Sequence, residues 1–214
     1  MKVEPMKVQP VKTDFKVLYK NLYAPKAGEF ARVEVPVMNF LMIDGHGNPN
    51  TAPAYALAVQ ALYSSAYGLK FFSKKQLGHD YTVPPLEGLW WASNPSAFTL
   101  GLKDDWDWTM MIMVPDWLGA EQVQQVLADT KLKKPELPID ALRFESYAEG
   151  ACVQTMHIGP YANEGPTLER LHLEYMPTQG LTFNGKHHEI YIGDPRRGDQ
   201  AKLKTVLRQP VRAL

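Results

Sequence analysis

One cysteine, Cys152, stands in 214 residues, which excludes an internal disulfide and any cysteine-ligated metal cluster. The thiol reads as a small buried hydrophobe rather than a nucleophile. Neither sign of charge is in excess, since Lys+Arg and Asp+Glu are both 23. Without a basic surplus to neutralise phosphates, nucleic-acid binding is not expected. No run of roughly 18 apolar residues occurs, so no membrane partner or span is expected. The opening "MKVEPMKVQPVKTDF" has no apolar h-region, so no signal peptide is expected and the protein is assigned to the cytoplasm. Residues 1–12, polar and dotted with proline, are expected to be mobile. G-x-S-x-G, H-E-x-x-H and P-loop patterns are missing. His187 and His188 are adjacent and face opposite ways in a strand, and no other His cluster supports them. Neither a metal nor a cofactor is expected.

Aromatic residues are what the chain has. Five Trp, ten Tyr and eight Phe make 11% of it, and four of the Trp fall between Trp90 and Trp108. "DFKVLYKNLYAP" reads as a short helix ended by Pro25. Val33 to Asp44 reads as a strand, and "GHGNPN" as a turn cluster. "APAYALAVQALYSSAYGLKFFSKK" has apolar residues at helical spacing, with Gly68 at its end or in its last turns. "PLEGLWW" and "WTMMIMV" are strands, joined by the loop "NPSAFTLGLKD". "GAEQVQQVLADTKLKK" is a connecting helix, apolar at Val123, Val126 and Leu127. One or two strands, a helix opened by Pro166, and "LTFNGKHHEIYIGDP" follow. Its Asn-Gly pair is a hairpin signal. Asp194 to Arg197 read as a turn, and Lys202 to Val211 as a terminal strand with a solvated charged face. The order strand–helix–strand–strand thus occurs twice, over about 30–118 and 140–212, with the connecting helix near 119–134. That pattern predicts an α+β fold with helices on one sheet face.

"DGHGNPN", "PLEGLWW", "WTMMIMVPD", "HIGPYANEGPT", "HHEIYIGDPRR" and "KLKTVLRQPV", in that order from about residue 13 to 212, resemble the GyrI-like (gyrase-inhibitor-like) small-molecule-binding family. The motifs are most similar to those of its stand-alone subgroup. The resemblance implies a single domain of two tandem strand–helix–strand–strand modules, with antiparallel sheets, a pseudo-twofold and a central ligand cleft. It also implies that a glutamate in the last module lies in that cleft, which is Glu189 here. Members of the subgroup hydrolyse cyclopropane-bearing DNA-alkylating compounds with an aromatic cage. Xenobiotic hydrolysis, or small-molecule binding without chemistry, are the functions implied. Inhibition of gyrase by protein contact rests on the family name alone. The expected partner is an aromatic or cationic small molecule.

The residues themselves give a set of candidates. In "HHEIYIGDP", His187, Glu189 and Tyr191 share one strand face, and His188, Ile190 and Ile192 the other. Glu189 is the candidate catalytic residue. In an aromatic cleft it could attract a cation, accept a hydrogen bond, or deprotonate water. Tyr191, about 7 Å further along the same face, would wall the cleft. Trp90 and Trp91 point to opposite faces, so one of them packs in the core. Trp90 shares its face with Gly88 and Ala92, which leaves room for a flat ligand; Trp91 shares its face with Glu87. All three of Trp90, Trp91 and Glu87 stay candidates. Trp106 and Trp108 share an apolar stripe with Met110 and Ile112, and Trp108 is retained from it. Tyr55 lies near the first helix start, with Tyr63 and Tyr67 further along. Tyr161 and Glu164 sit on a strand-to-helix connection, where function concentrates. Each has a plainer fate: core packing for a Trp, a rim position for a Tyr, a helix-terminus charge for Glu164.

Overall fold

The structure is a computed structural model that describes residues 12–94, 101–193 and 199–214. The expected mobility of the first residues, most of the loop after Trp91 and the turn at Asp194 to Arg197 lie outside the described residues. Two short helices, α1 (Phe15–Leu18) and α2 (Lys20–Tyr23), lead into β1 (Ala31–Val35) and β2 (Met38–His46). Helix α3 (Pro53–Phe72) runs on through a π-turn, Ser73–Leu77, to Gly78, whose φ of 73° closes it. Strands β3 (Leu86–Trp91) and β4 (Asp107–Val114) follow, then α4 (Ala120–Lys133), β5 (Arg143–Tyr147) and β6 (Gly150–Ile158). Helix α5 (Gly165–Glu169), a π-turn (Arg170–Tyr175) and α6 (Met176–Thr178) form one continuous helical segment. Strands β7 (Leu181–Phe183), β8 (His187–Tyr191) and β9 (Lys204–Ala213) end the chain. Among the described residues no helix is long and apolar enough to cross a membrane.

The strands form one antiparallel sheet in the order β1-β6-β9-β8-β3-β4-β2-β5, with β7 on the far end of β9. Read outward from the β8/β3 pair, β9 corresponds to β4, β6 to β2, and β1 to β5. The pseudo-twofold therefore passes between β8 and β3. Each half borrows its edge strand from the other. The β1–β6 and β2–β5 ladders keep one register: Val35 faces Gly150 and, three residues on, Met38 faces Tyr147. Residues 31–42 and 143–154 are thus one antiparallel ribbon crossing between halves. Pro36 interrupts it, lacking the N–H a ladder needs. The expected single strand from Val33 to Asp44 is two strands for this reason. The Asn-Gly hairpin does not form either. Strand β7 pairs with β9 and not β8, and Asn184 N–H donates to the Pro210 carbonyl.

Helix α3 buries Ala58, Ala61, Leu62, Ser65, Ala66 and Leu69, and packs on β2 and β4. Its Gly68 stands inside the helix against α4, where an added Cβ would lie 2.8 Å from Val126 Cγ1. Leu171 and Met176 of the second helical segment pack with Val153 and Val211. Both helical layers cover the same sheet face, one on each half. Leu22 and Tyr23 of α2, and Glu149 where the ribbon crosses, lie against the opposite face, beside Glu87, His188 and Arg208.

Candidate functional site

The site grows from the central strand pair. Register sets Gly88 opposite Glu189, Leu86 opposite Tyr191 and Trp90 opposite His187, so all six share the helix-covered face. Gly88 lacks a side chain where one would crowd. A Cβ there would stand 2.9 Å from Trp90 Nε1 and 3.2 Å from the Tyr191 hydroxyl. The opening lets Trp90 Nε1–H donate to the Tyr191 hydroxyl at 3.1 Å, and that hydroxyl donate to Glu189 Oε2 at 2.8 Å. His187 Nε2 lies 3.5 Å from the other oxygen, Oε1. Glu189 is thus fixed in place by a tyrosine that is itself fixed by a tryptophan.

Above these residues a cavity of about 870 Å³ opens between α3 and the connection from Pro160 to Glu164. Tyr55 from α3 stacks on Trp90 with centroids 6.2 Å apart and planes 29° apart. Trp106 meets Trp90 edge-on at 5.8 Å. Tyr161 meets Tyr191 edge-on at 5.5 Å. Tyr63, Tyr67, Lys103 and Glu164 also line it. Such walls suit a flat, apolar ligand, and their π faces attract cations.

Burial dominates the electrostatics. It raises the Tyr55 phenol above its ordinary value, and the Glu189 charge adds to this. Tyr191 rises well above the ordinary tyrosine value for the same two reasons in the same order. Burial, then Glu189, pushes Glu164 up to about 9, against the opposing pull of Thr205 and Lys103. The cleft therefore holds a second carboxyl that is protonated at neutral pH. Among the described residues no cluster of three or more His, Cys, Asp or Glu is arranged to hold a metal.

The structure brings together Glu189, Tyr191, Trp90, Tyr55, Tyr161 and Glu164. It does not bring Trp91, Glu87 and Trp108 to the cleft. Trp91 and Glu87 are odd-numbered on β3 and face the other way, where Lys186 Nζ lies 3.2 Å over the Trp91 ring. Trp108 is 1% exposed and packs edge-on behind Tyr55 at 5.3 Å, over Gly45. Trp106, one position before β4, takes the cavity position instead, its carbonyl accepting from the Gly47 N–H at 2.8 Å.

On the opposite face Glu87 belongs to a buried network. Tyr23 donates to Glu87 at 3.0 Å, and His188 sits 3.0 Å from Glu87 and 2.9 Å from Glu149. Arg208 pairs with Glu149 at 3.0 Å and donates to Gln154 and to the Leu22 carbonyl. Although burial opposes it, the two carboxylates raise His188 to about 9, and His188 and Arg208 lower Glu149 to about 2. Lys202 and Lys204 are exposed as expected of a solvated charged face, but Arg208 is 3% exposed and departs from it. His172 and His187 meet at 6.4 Å under the second helical segment, where burial and then His187 lower His172 to about 4. Sequence spacing carried no signal for either group, since their members come from different elements.

Residues 29–212 match the family described as the GyrI-like small molecule binding domain. An uncharacterized conserved protein from Listeria innocua is similar at 40% identity and a TM-score of 0.87, over 94% of this chain and 100% of that one. A hydrolase from Listeria innocua is similar at 39% identity and 0.81, with the same coverage. The C-terminal domain of EcmrR, at 15% identity and 0.55 over 87% of this chain and 98% of that one, shares the fold. No curated protein matches.

Proposed function

The chain belongs to the GyrI-like small molecule binding family, and from that premise we propose that its cleft binds flat aromatic or cationic xenobiotics and hydrolyses those carrying a strained cyclopropane. The carrying observation is the chain of hydrogen bonds from Trp90 through Tyr191 to Glu189 on the floor of an aromatic cavity. The hydrolase from Listeria innocua, 39% identical, supports the catalytic side of this reading. The protein would act in the cytoplasm, on a small molecule alone, with no nucleic acid, membrane or cofactor as partner.

Rings stacked on Tyr55, Trp90 and Trp106 would hold a cyclopropane-fused dienone over Glu189. Water's oxygen bonds to the ring methylene carbon and one ring C–C bond breaks. Its electron pair moves through the dienone to the carbonyl oxygen, giving a phenol once that oxygen takes a proton. Water's proton goes to Glu189. Strain release and aromatisation drive the step, while Glu189 and the walls supply orientation.

Binding without chemistry is the rival reading. It is favoured by the Tyr191 hydroxyl, which already occupies one oxygen of the would-be base. Mass spectrometry of a cyclopropanoid alkylator after incubation decides between them. Gain of one water with the natural protein, absent with Glu189→Gln, is expected. Unchanged compound would leave binding alone, and turnover retained in the variant would remove Glu189 from the chemistry.

A further inference from the structure

The cleft has two carboxyls, and its walls treat them differently. Glu189 receives a proton donor, the Tyr191 hydroxyl. Glu164 is 6% exposed, and its Oε1 is buried without a hydrogen-bond partner among the described residues. It stands on the connection after Pro160, whose Tyr161 packs on Tyr191. Register places Thr205 beside Tyr191 on the cleft face, and Glu164 sits by the Thr205 hydroxyl. The groups around it are Glu189 and Tyr191 from β8, Thr205 from β9, and Lys103 from the turn before β4. An unmade hydrogen bond at a buried carboxyl is costly, so the position suits a group completed by its ligand.

We propose that Glu164 is the ligand-selecting hydrogen-bond donor of the cleft, its carboxyl O–H holding the carbonyl oxygen of a planar aromatic ketone or enone. The assignment rests on the reading of the cleft as a site for flat ligands. It gives the cavity a polarity: an acceptor carboxyl, Glu189, for an electrophilic or cationic centre, and a donor carboxyl, Glu164, for an oxygen. The elevation of Glu164 to about 9 agrees with a donor role at neutral pH. With a cyclopropane-fused dienone, the carbonyl oxygen gains an electron pair as the ring C–C bond breaks. Glu164 then passes its proton to that oxygen while Glu189 takes one from water. Solvent returns the proton from Glu189 to Glu164, so nothing is consumed but water.

Two probes of one shape separate the outcomes: 9-fluorenone, which has the carbonyl, and fluorene, which lacks it. Affinities are read from tryptophan fluorescence quenching. The natural protein is expected to prefer fluorenone by about tenfold at pH 7. Glu164→Gln, which still donates, keeps the preference. Glu164→Leu loses it while holding fluorene at least as well. At pH 10 the preference falls in the natural protein and not in Glu164→Gln. Fluorene binding without any ketone preference, or a preference kept in Glu164→Leu, would overturn the role of Glu164 and leave the flat-ligand reading standing. Failure of both probes to bind would remove that reading and this one with it.

Discussion

Alkaline destabilisation through His188 follows from the network beneath the sheet. His188 is 1% exposed and lies between Glu87 and Glu149. Its folded value is about 9 against an ordinary 6.5. Between those limits the folded protein keeps a proton that the unfolded chain releases. The stabilisation is therefore whole below pH 6.5 and is lost as pH rises through 9. At about 1.4 kcal/mol per pH unit, the interval is worth about 3 kcal/mol. For a chain of this length that lowers Tm by on the order of 10 °C. Differential scanning calorimetry from pH 6.5 to 9, at fixed ionic strength, measures the fall. Glu164 also rises on folding and contributes with the same sign, so the comparison needs His188→Gln, in which Glu164 still titrates. The variant should be less stable at pH 6.5 and should lose distinctly less Tm on the way to pH 9. Parallel curves for the two proteins would refute the assignment of the proton to His188.

Two glycines carry further predictions. Gly88→Ala should weaken the binding of flat ligands more than it lowers stability, because the new methyl separates Trp90 from the Tyr191 hydroxyl. Ligand titration beside thermal melting checks the order of the two effects. Gly45→Ala should cost about 1–3 kcal/mol, since its Cβ would overlap the six-membered ring of Trp108. Chemical denaturation measures the loss, and an unchanged midpoint would mean that Trp108 moves aside freely.

Alternation along a strand was the most legible part of the site. It put Glu189 and Tyr191 on one face, and the structure lays that face along the cavity. The same rule separated Trp90 from Trp91 without saying which faced inward. The glycine beside Trp90 was the useful clue, because a small neighbour marks where bulk from another strand must fit. Glu87 misled for the opposite reason. A carboxylate in an apolar strand suggests a ligand site, yet its partners are Tyr23, 64 residues before it, and His188, on another strand. Nothing local to Arg208 announces its burial, because its partner Glu149 stands 59 residues away. Long-range polar pairing leaves no periodicity in a sequence. The doubled strand–helix–strand–strand order was visible, but the exchange of edge strands was not, since each ladder depends on residues more than a hundred positions apart.

That exchange governs how the chain can be completed during synthesis. Strand β2 has β4 on one side soon after residue 114 emerges, but its other side waits for β5, at residues 143–147. Strand β1 waits for β6 in the same way. Until then the leading half presents an unpaired, largely apolar edge, the kind of surface that recruits strands from other chains. Neither half, cut from the other, owns a full set of neighbours. The two would be expected to seek each other as complementary fragments rather than fold as independent pieces. The halves are thus joined like two hooks, and the cleft between them opens only once both have closed.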